Sequence, residues 1–256
     1  MNIALTYFCN QKCAYCFGTD AMSISKDSAK AREITLDNLK KVMDFMKASG
    51  VLTFNMIGGE PTLHSRFGEL YDIISDNGFS VRIFSNGVID KHWVDFLSKK
   101  ANLHNILLNI REPSEYLPKD WKKIEYTLSQ LNKKINLSFR VYKLDFNPTF
   151  LFDLIDKYQL KRSMNLAISC PSLIRKNIYI RLEDHKKAIE RMVEFSIESR
   201  ERNISWYSDS GFILCAFGNG KLEKLKKNAG FIPIINCYPA IEVAPDLRVY
   251  RCYGLA

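Results

Sequence analysis

Apolar and polar residues alternate in two different periods between residues 3 and 202. Short runs rich in β-branched and aromatic side chains predict strands, and stretches with apolar positions three and four residues apart predict helices. The predicted strands are 3–7, 52–57, 80–84, 106–110, 136–142 and 165–169. The predicted helices are 36–48, 66–76, 91–99, 121–131, 149–158 and 182–202.

This regular alternation predicts an α/β fold with a parallel sheet. A strand that is followed by a helix returns to the sheet in the same direction through a right-handed crossover. Six such units are enough for a partial (β/α)6 barrel of the TIM type or for an open doubly wound sheet. Periodicity leaves both open, but both place ligands at the carboxyl ends of the strands.

The composition is that of a globular protein, with 46% hydrophobic and 12% aromatic residues among 256. No apolar run reaches the roughly 18 to 20 residues that a membrane span needs, and the first residues do not form a secretory signal. We therefore expect a cytoplasmic protein without a membrane partner. The seven cysteines are an odd number in such a chain, which favours metal binding over a disulfide scaffold.

The formal net charge is +9, from 37 Lys and Arg against 28 Asp and Glu. Lysines are spread along the predicted helices rather than gathered in one block. A solvated, lysine-rich surface explains this distribution, and an acidic partner such as a peptide is the alternative. Nucleic acid is not the expected partner.

Three cysteines follow the first predicted strand with the spacing C-x3-C-x2-C: Cys9, Cys13 and Cys16. Three thiolates on one short loop can bind three corners of an iron-sulfur cube. The four histidines lie elsewhere in the sequence, so the fourth iron would stay open. Structural zinc closed by a distant fourth ligand and unrelated core cysteines are the alternatives.

Tyr15 directly precedes the third cysteine. This spacing, with an aromatic residue in that place, resembles the signature of the radical S-adenosylmethionine (SAM) superfamily. The resemblance implies that Cys9, Cys13 and Cys16 are the catalytic cysteines that hold a 4Fe-4S cluster, beside which SAM binds, and that Tyr15 is a cofactor-binding residue. It also implies reductive cleavage of SAM to methionine and a 5'-deoxyadenosyl radical, which abstracts a hydrogen from the substrate.

A second motif, Gly58-Gly59-Glu60, follows the second predicted strand. Glycine permits positive φ and a close approach of the backbone to a ligand, and exposed peptide groups with a carboxylate suit an ammonium group. In the resembled family this segment contacts the amino group of SAM. A plain turn is the alternative for the motif taken alone.

Two further strand ends supply candidate cofactor contacts. Ser85 and Asn86 precede a glycine, similar to the Thr-Asn-Gly ending that borders the cofactor in the family, although Asn-Gly also favours a simple turn. Many peptide-modifying relatives carry Ser-x-Asp-Gly after the fourth strand, whereas residues 109–112 here read Asn-Ile-Arg-Glu. Asn109 is a candidate for binding a ribose hydroxyl, and Arg140 for binding a carboxylate. Surface or structural roles are the alternatives.

The C-terminal cysteines Cys237 and Cys252 resemble the opening of the SPASM and twitch extensions, which bind auxiliary clusters. Leu247 takes the place of the glycine in that pattern. Cys215 is a further candidate ligand, so that an auxiliary 4Fe-4S cluster would have at most three local ligands. Free buried thiols at 237 and 252 are the alternative.

The expected organisation is a radical SAM core over residues 1–203, followed over 204–256 by the start of an apparently truncated extension with a small β-hairpin. The resemblance implies a peptide or protein substrate and an electron donor such as flavodoxin or ferredoxin. A radical SAM enzyme acting on a small molecule is one alternative. A non-catalytic, metal-stabilised module that binds peptide is the other.

Overall fold

The structure, a computed structural model, describes residues 1–19, 22, 32–172, 176–208, 212–218, 220–233 and 241–251. Within these ranges ten strands form one sheet: β1 (Asn2–Thr6), β2 (Thr53–Gly58), β3 (Ser80–Ser85), β4 (Leu103–Asn109), β5 (Ile135–Val141), β6 (Ser163–Ile168), β7 (Ser205–Ser208), β8 (Ile232–Pro233), β9 (Glu242–Val243) and β10 (Val249–Tyr250). The α-helices of the same ranges are α1 (Leu36–Ala48), α2 (Phe67–Asp76), α3 (Lys91–Ser98), α4 (Pro118–Gln130), α5 (Thr149–Tyr158), α6 (His185–Glu201) and α7 (Lys221–Ala229).

The strands from β1 to β8 lie side by side in sequence order, and each neighbouring pair is parallel. β9 joins the other edge of β1 in parallel, and β10 turns back antiparallel to β9. The sheet stays open, because β8 and β10 form its two edges. This arrangement confirms the predicted α/β fold with its partial barrel and its short C-terminal hairpin.

The parallel sheet continues beyond the six predicted strand-helix units. β7 follows α6 and pairs with β6, with Met164 opposite Trp206, and β8 pairs with β7 after α7. Both added strands are short, which explains why periodicity did not predict them. The proposed division of the chain at residue 203 stays a prediction. Strands on both sides of this residue are hydrogen-bonded within one sheet.

Alternating side chains separate the two faces of the sheet. Residues of one set, such as Leu108 and Phe139, are buried in the main hydrophobic core together with apolar residues of the helices. The other face is polar: Ser138 Oγ donates to Asn165 Oδ1 at 3.1 Å, and Arg82 donates to the Asn105 side chain at 2.8 Å. Helices thus cover one face, and the polar face lines the inside of the partial barrel.

The C-terminal hairpin is held to the body of the protein by polar contacts. Asn38, in the first turn of α1, donates to the backbone carbonyl of Pro245 at 2.9 Å. Leu247 adopts a φ of 67°, a left-handed conformation that favours glycine. This backbone geometry explains why a glycine fits the position that Leu247 occupies here.

In the part of the chain that the structure describes, none of the helices combines the length and the apolar character needed to cross a membrane.

The buried carboxyl group of Glu242 predicts a pH-dependent stability. Burial raises the pKa of Glu242 from 4.5 to about 7, although the Asn2 side chain donates to it at 2.9 Å. The folded protein therefore binds this proton more tightly than the unfolded chain does, and that stabilisation is present below pH 4.5 and lost as the pH rises through 7.

We expect the free energy of unfolding of the wild type, relative to Glu242→Gln, to fall by up to about 3 kcal/mol between pH 4.5 and pH 8. Urea unfolding of both proteins at a series of pH values measures this difference. A difference that stays constant over the range would contradict the burial of this carboxyl group.

Candidate active site

The cysteine triplet lies on the loop that leaves the carboxyl end of β1. Cys9 is exposed, whereas Cys13 and Cys16 are half-buried, and all three are free thiols. The backbone N–H of Cys16 donates to the carbonyl of Cys13 at 3.1 Å, which closes a turn between the second and third cysteines. The predicted position of the triplet at the carboxyl edge of the sheet is therefore the observed one.

The two glycines after β2 allow the cysteine loop to approach closely. Gly59 N–H donates to the carbonyl of Thr6 and Glu60 N–H donates to that of Phe8, both at 2.8 Å. A Cβ atom at Gly58 would lie 2.1 Å from the Thr6 carbonyl oxygen, and one at Gly59 would lie 2.2 Å from that of Phe8. Only glycine leaves room for these backbone contacts.

The carboxylate of Glu60 is fully buried behind the loop. One oxygen accepts from Thr62 Oγ1, and the other accepts from Ser85 Oγ and from the backbone N–H of Asn86, each at 2.9 Å. Burial raises the pKa of Glu60, and these hydrogen bonds oppose the shift. Glu60 thus joins the turn after β2 to the turn after β3.

Asn86 reaches from the turn after β3 to the cysteine loop. Its Nδ2 lies 3.8 Å from Cys9 Sγ and donates to Asn10 Oδ1 at 2.9 Å. Asn10 in turn donates to the carbonyl of Val88 at 2.8 Å. Of the two residues predicted in this turn, Asn86 therefore borders the cysteines, while Ser85 is buried against Glu60.

Tyr15 anchors the other end of the loop. Its ring is buried and stacks on Tyr142 with centroids 4.7 Å apart, and its hydroxyl accepts a hydrogen bond from Asn109 Nδ2 at 2.9 Å. The Oδ1 atom of Asn109 is buried without a hydrogen-bond partner among the described residues. The aromatic residue of the motif thus fixes the loop, and the Oδ1 atom of Asn109 remains available to accept a hydrogen bond from a ligand.

A segment after β6 also contacts the cysteine loop. Ile178 N–H donates to the carbonyl of Ala14 at 2.9 Å, and Asn177 Nδ2 donates to the carbonyl of Tyr15 at 3.1 Å. Asn177 also donates to the carbonyl of Cys170, whose side chain is exposed at the rim. No local pattern predicted the two contacts with the cysteine loop, because they join residues more than 150 positions apart.

Arg111 and Gln11 were also not predicted as parts of the site. Arg111 extends a guanidinium nitrogen to within 2.5 Å of Gln11 Oε1, and Gln11 lies between the first two cysteines. Gln11 Nε2 donates to the carboxylate of Asp120 at 3.1 Å. A basic residue following a strand was the only sequence signal that could have suggested this contact.

The environment of the thiols suits a metal cluster. Although part of Cys9 is exposed, loss of solvent around its sulfur raises the pKa of this thiol to about 11, and burial also raises the pKa of Cys13. Both thiols therefore hold their protons more tightly than a free cysteine does. Metal binding would have to displace these protons. The three free thiols on one loop, with the Asn86 amide beside Cys9, fit a cluster of the 4Fe-4S type.

The described residues contain no group of three His, Cys, Asp or Glu side chains that would hold a single metal ion. A single metal ion needs its ligands to converge on one point. Cysteines that bind separate corners of a cluster do not need to converge in that way.

The remaining predicted site residues lie in different places. Arg140 is half-buried on β5, opposite Ala167, on the polar face of the sheet. Cys215 is exposed on a short 3-10 helix and lines a shallow cavity of about 320 Å³ with Leu182 and Lys186. Cys237 and Cys252 lie outside the described residues, so the auxiliary cluster stays a prediction.

A comparison with sequence models of protein families shows to which family the chain belongs. The sequence model of the Radical SAM superfamily matches residues 3–141, from β1 to the end of β5. The chain belongs to the radical SAM superfamily. The match includes the cysteine loop and the motifs after β2, β3 and β4.

Curated relatives include enzymes with different substrates. An S-adenosylmethionine-dependent nucleotide dehydratase of Selenomonas ruminantium is 33% identical over 88 residues, which cover 34% of this radical SAM chain and 29% of the relative. Mycofactocin maturase MftC of Mycolicibacterium smegmatis is 33% identical over 84 residues, which cover 33% of this chain and 20% of the relative. These matches span less than a third of either relative.

Among solved structures, SuiB of Streptococcus suis bound to the precursor peptide SuiA has a similar fold. The TM-score is 0.67 at 16% sequence identity, and the alignment covers 99% of this radical SAM chain and 59% of SuiB. The likeness includes nearly the whole chain, and it concerns the fold.

Gly59→Ala tests the close approach at the radical SAM cysteine loop. The added Cβ would collide with the Phe8 carbonyl and lie 3.0 Å from Cys9 Cβ, so the loop must shift. We expect this variant to take up less than half of the iron that the wild type binds after anaerobic reconstitution, as measured by chemical iron analysis.

Gly218→Ala is the matched control, because its added Cβ would meet only the Cys215 carbonyl oxygen at 3.9 Å, an ordinary contact. Equal iron uptake by both variants and the wild type would show that the approach at Gly59 does not position the cysteines.

Proposed function

We propose that this chain holds a 4Fe-4S cluster on Cys9, Cys13 and Cys16 and uses it to cleave SAM reductively. When bound, the cluster supplies one electron to the sulfonium of SAM, and the radical that results removes a hydrogen from a peptide or protein substrate. The observation that carries this proposal is the anchoring of three free cysteines on one loop at the carboxyl edge of the sheet.

The residues around the loop suit the recognition of SAM. The backbone of Gly58 and Gly59 would receive its amino group, while the Glu60 carboxylate holds this segment from behind through Ser85 and Asn86. The free acceptor of Asn109 suits a ribose hydroxyl. Arg140, on the polar face, suits the carboxylate of SAM by its charge.

Exposed apolar side chains near the site favour a peptide as the substrate. Phe8, Ile178, Leu182 and Leu214 are between 40% and 63% exposed, and each lies in a loop or short turn that follows the carboxyl end of a strand. Apolar groups gathered at one edge are typical of surfaces that bind other polypeptides. The fold likeness to SuiB, solved with a precursor peptide, agrees with this substrate class.

A small-molecule substrate is the second candidate. The relative that is a nucleotide dehydratase matches 34% of this chain, and the polar face inside the sheet could contact a polar ligand. A peptide would bind to the exposed apolar loops, whereas a nucleotide would not need them. Replacing these apolar side chains can therefore separate the two candidates.

An electron donor such as flavodoxin or ferredoxin would reduce the cluster. The reducing conditions of the cytoplasm would keep the cysteines free, so we place the protein there. An auxiliary cluster on Cys215, Cys237 and Cys252, within an extension that starts near residue 204, is part of the same proposal.

Replacing the cysteine triplet tests the chemistry. We expect the reconstituted wild type to be brown and to form 5'-deoxyadenosine from SAM with dithionite, and the variant with Cys9, Cys13 and Cys16 changed to Ala to do neither. Cys170→Ala, which removes another exposed thiol at the rim, should behave as the wild type does. Chromatography of the nucleoside product measures the activity. A colourless protein with four-coordinate zinc and no cleavage would refute the proposal.

Replacing the exposed leucines tests the substrate class. We expect the wild type to enrich peptides from a displayed library of random 20-residue sequences, and a Leu182→Ser, Leu214→Ser variant to lose at least tenfold of this enrichment. Leu52→Ser is the matched control, because Leu52 is 60% exposed but precedes β2 at the opposite edge of the sheet. Absence of enrichment, together with saturable binding of a nucleotide panel, would favour the small-molecule alternative.

A further inference from the structure

Arg111 is the basic residue that the fold brings against the cysteine loop. It follows β4, where its backbone N–H donates to the hydroxyl of Tyr116 at 3.0 Å. Its guanidinium lies over the ring of Tyr116, 4.3 Å from the centroid, and donates to Gln11 Oε1 at 2.5 Å. Backbone, ring and loop contacts together fix the direction of the side chain.

Gln11 determines where this cation meets the loop. Its amide oxygen accepts from Arg111, and its amide nitrogen donates to Asp120 at 3.1 Å and to the carbonyl of Asn10 at 3.0 Å. Gln11 is therefore held from both sides in a defined orientation. Because Gln11 lies between Cys9 and Cys13, the positive charge of Arg111 is held beside the thiols.

The charge of Arg111 is not neutralised by a carboxylate. Among the described residues Arg111 forms no ion pair, and its Nε atom is buried without a hydrogen-bond partner. The nearby carboxylates of Glu112 and Glu115 pair with Lys143 instead, at 3.3 and 3.6 Å. A half-buried guanidinium without a counter-ion is costly unless a negative group comes close to it.

We propose that the guanidinium of Arg111, which Gln11 and Tyr116 hold against the cysteine loop, raises the reduction potential of the cluster. This inference rests on the proposed function. One-electron reduction adds a negative charge at the loop, and a fixed cation in a partly buried site stabilises that charge more than solvent alone does. The cluster is then easier to reduce.

The test compares Arg111→Gln, Arg111→Lys and the wild type after anaerobic reconstitution. We expect Arg111→Gln to lower the ratio of reduced to oxidised cluster at a fixed potential by about tenfold, equivalent to about 59 mV for one electron. Arg111→Lys keeps the charge and should recover most of the wild-type ratio. Redox titration followed by electron paramagnetic resonance measures this ratio.

Arg82→Gln is the matched control, because Arg82 is hydrogen-bonded to Asn105 on the polar face instead of to the cysteine loop. Its midpoint potential should equal that of the wild type. Iron content and thermal unfolding of the metal-free variants show whether each protein is folded and loaded, so that a change of potential can be separated from a loss of structure.

Each outcome distinguishes the inference from the function on which it rests. A wild type that takes up no cluster would refute both. If the wild type binds the cluster and cleaves SAM, but Arg111→Gln has the same midpoint potential, the proposed function stands and the role of Arg111 is overturned. Weaker SAM binding by Arg111→Gln at an unchanged potential, measured by calorimetry, would likewise overturn it and identify Arg111 as a SAM ligand.

Discussion

The buried carboxylate of Glu60 is the constraint on which the site depends. A carboxylate without solvent needs hydrogen-bond donors on both oxygens, and Glu60 finds them in Thr62, Ser85 and the backbone of Asn86. The ends of β2 and β3 are thereby fixed to each other. The backbone of Glu60 extends the same constraint to β1 through its hydrogen bond to Phe8, just before the first cysteine.

The opposite side of the cysteine loop is held by residues from later strands. Tyr15 is stacked on Tyr142 and bonded to Asn109, so β4 and β5 also define where the loop lies. Arg111 adds a charge to this side, whereas Glu60 is shielded by its donors on the other. The loop therefore lies between a hydrogen-bonded carboxylate and a guanidinium that forms no ion pair within the described part of the chain.

Local patterns were sufficient for most of the elements and for the motifs, but not for the shortest strands or for contacts between distant residues. Periodicity predicted α1 and α5 with their observed bounds, and it placed the cysteine loop and the Gly-Gly-Glu segment at adjacent strand ends. It missed β7 and β8, which are too short to show a period. The sequence suggested an exposed role for the Glu60 carboxylate, whereas its burial depends on packing that no local pattern encodes.

The cysteine loop is tethered at both ends, through Asn10 and Gln11 at one end and through Ala14 and Tyr15 at the other. The partners of these tethers come from parts of the chain that are far apart in the sequence. A displacement at either end would therefore move the cysteines of the loop together rather than one at a time.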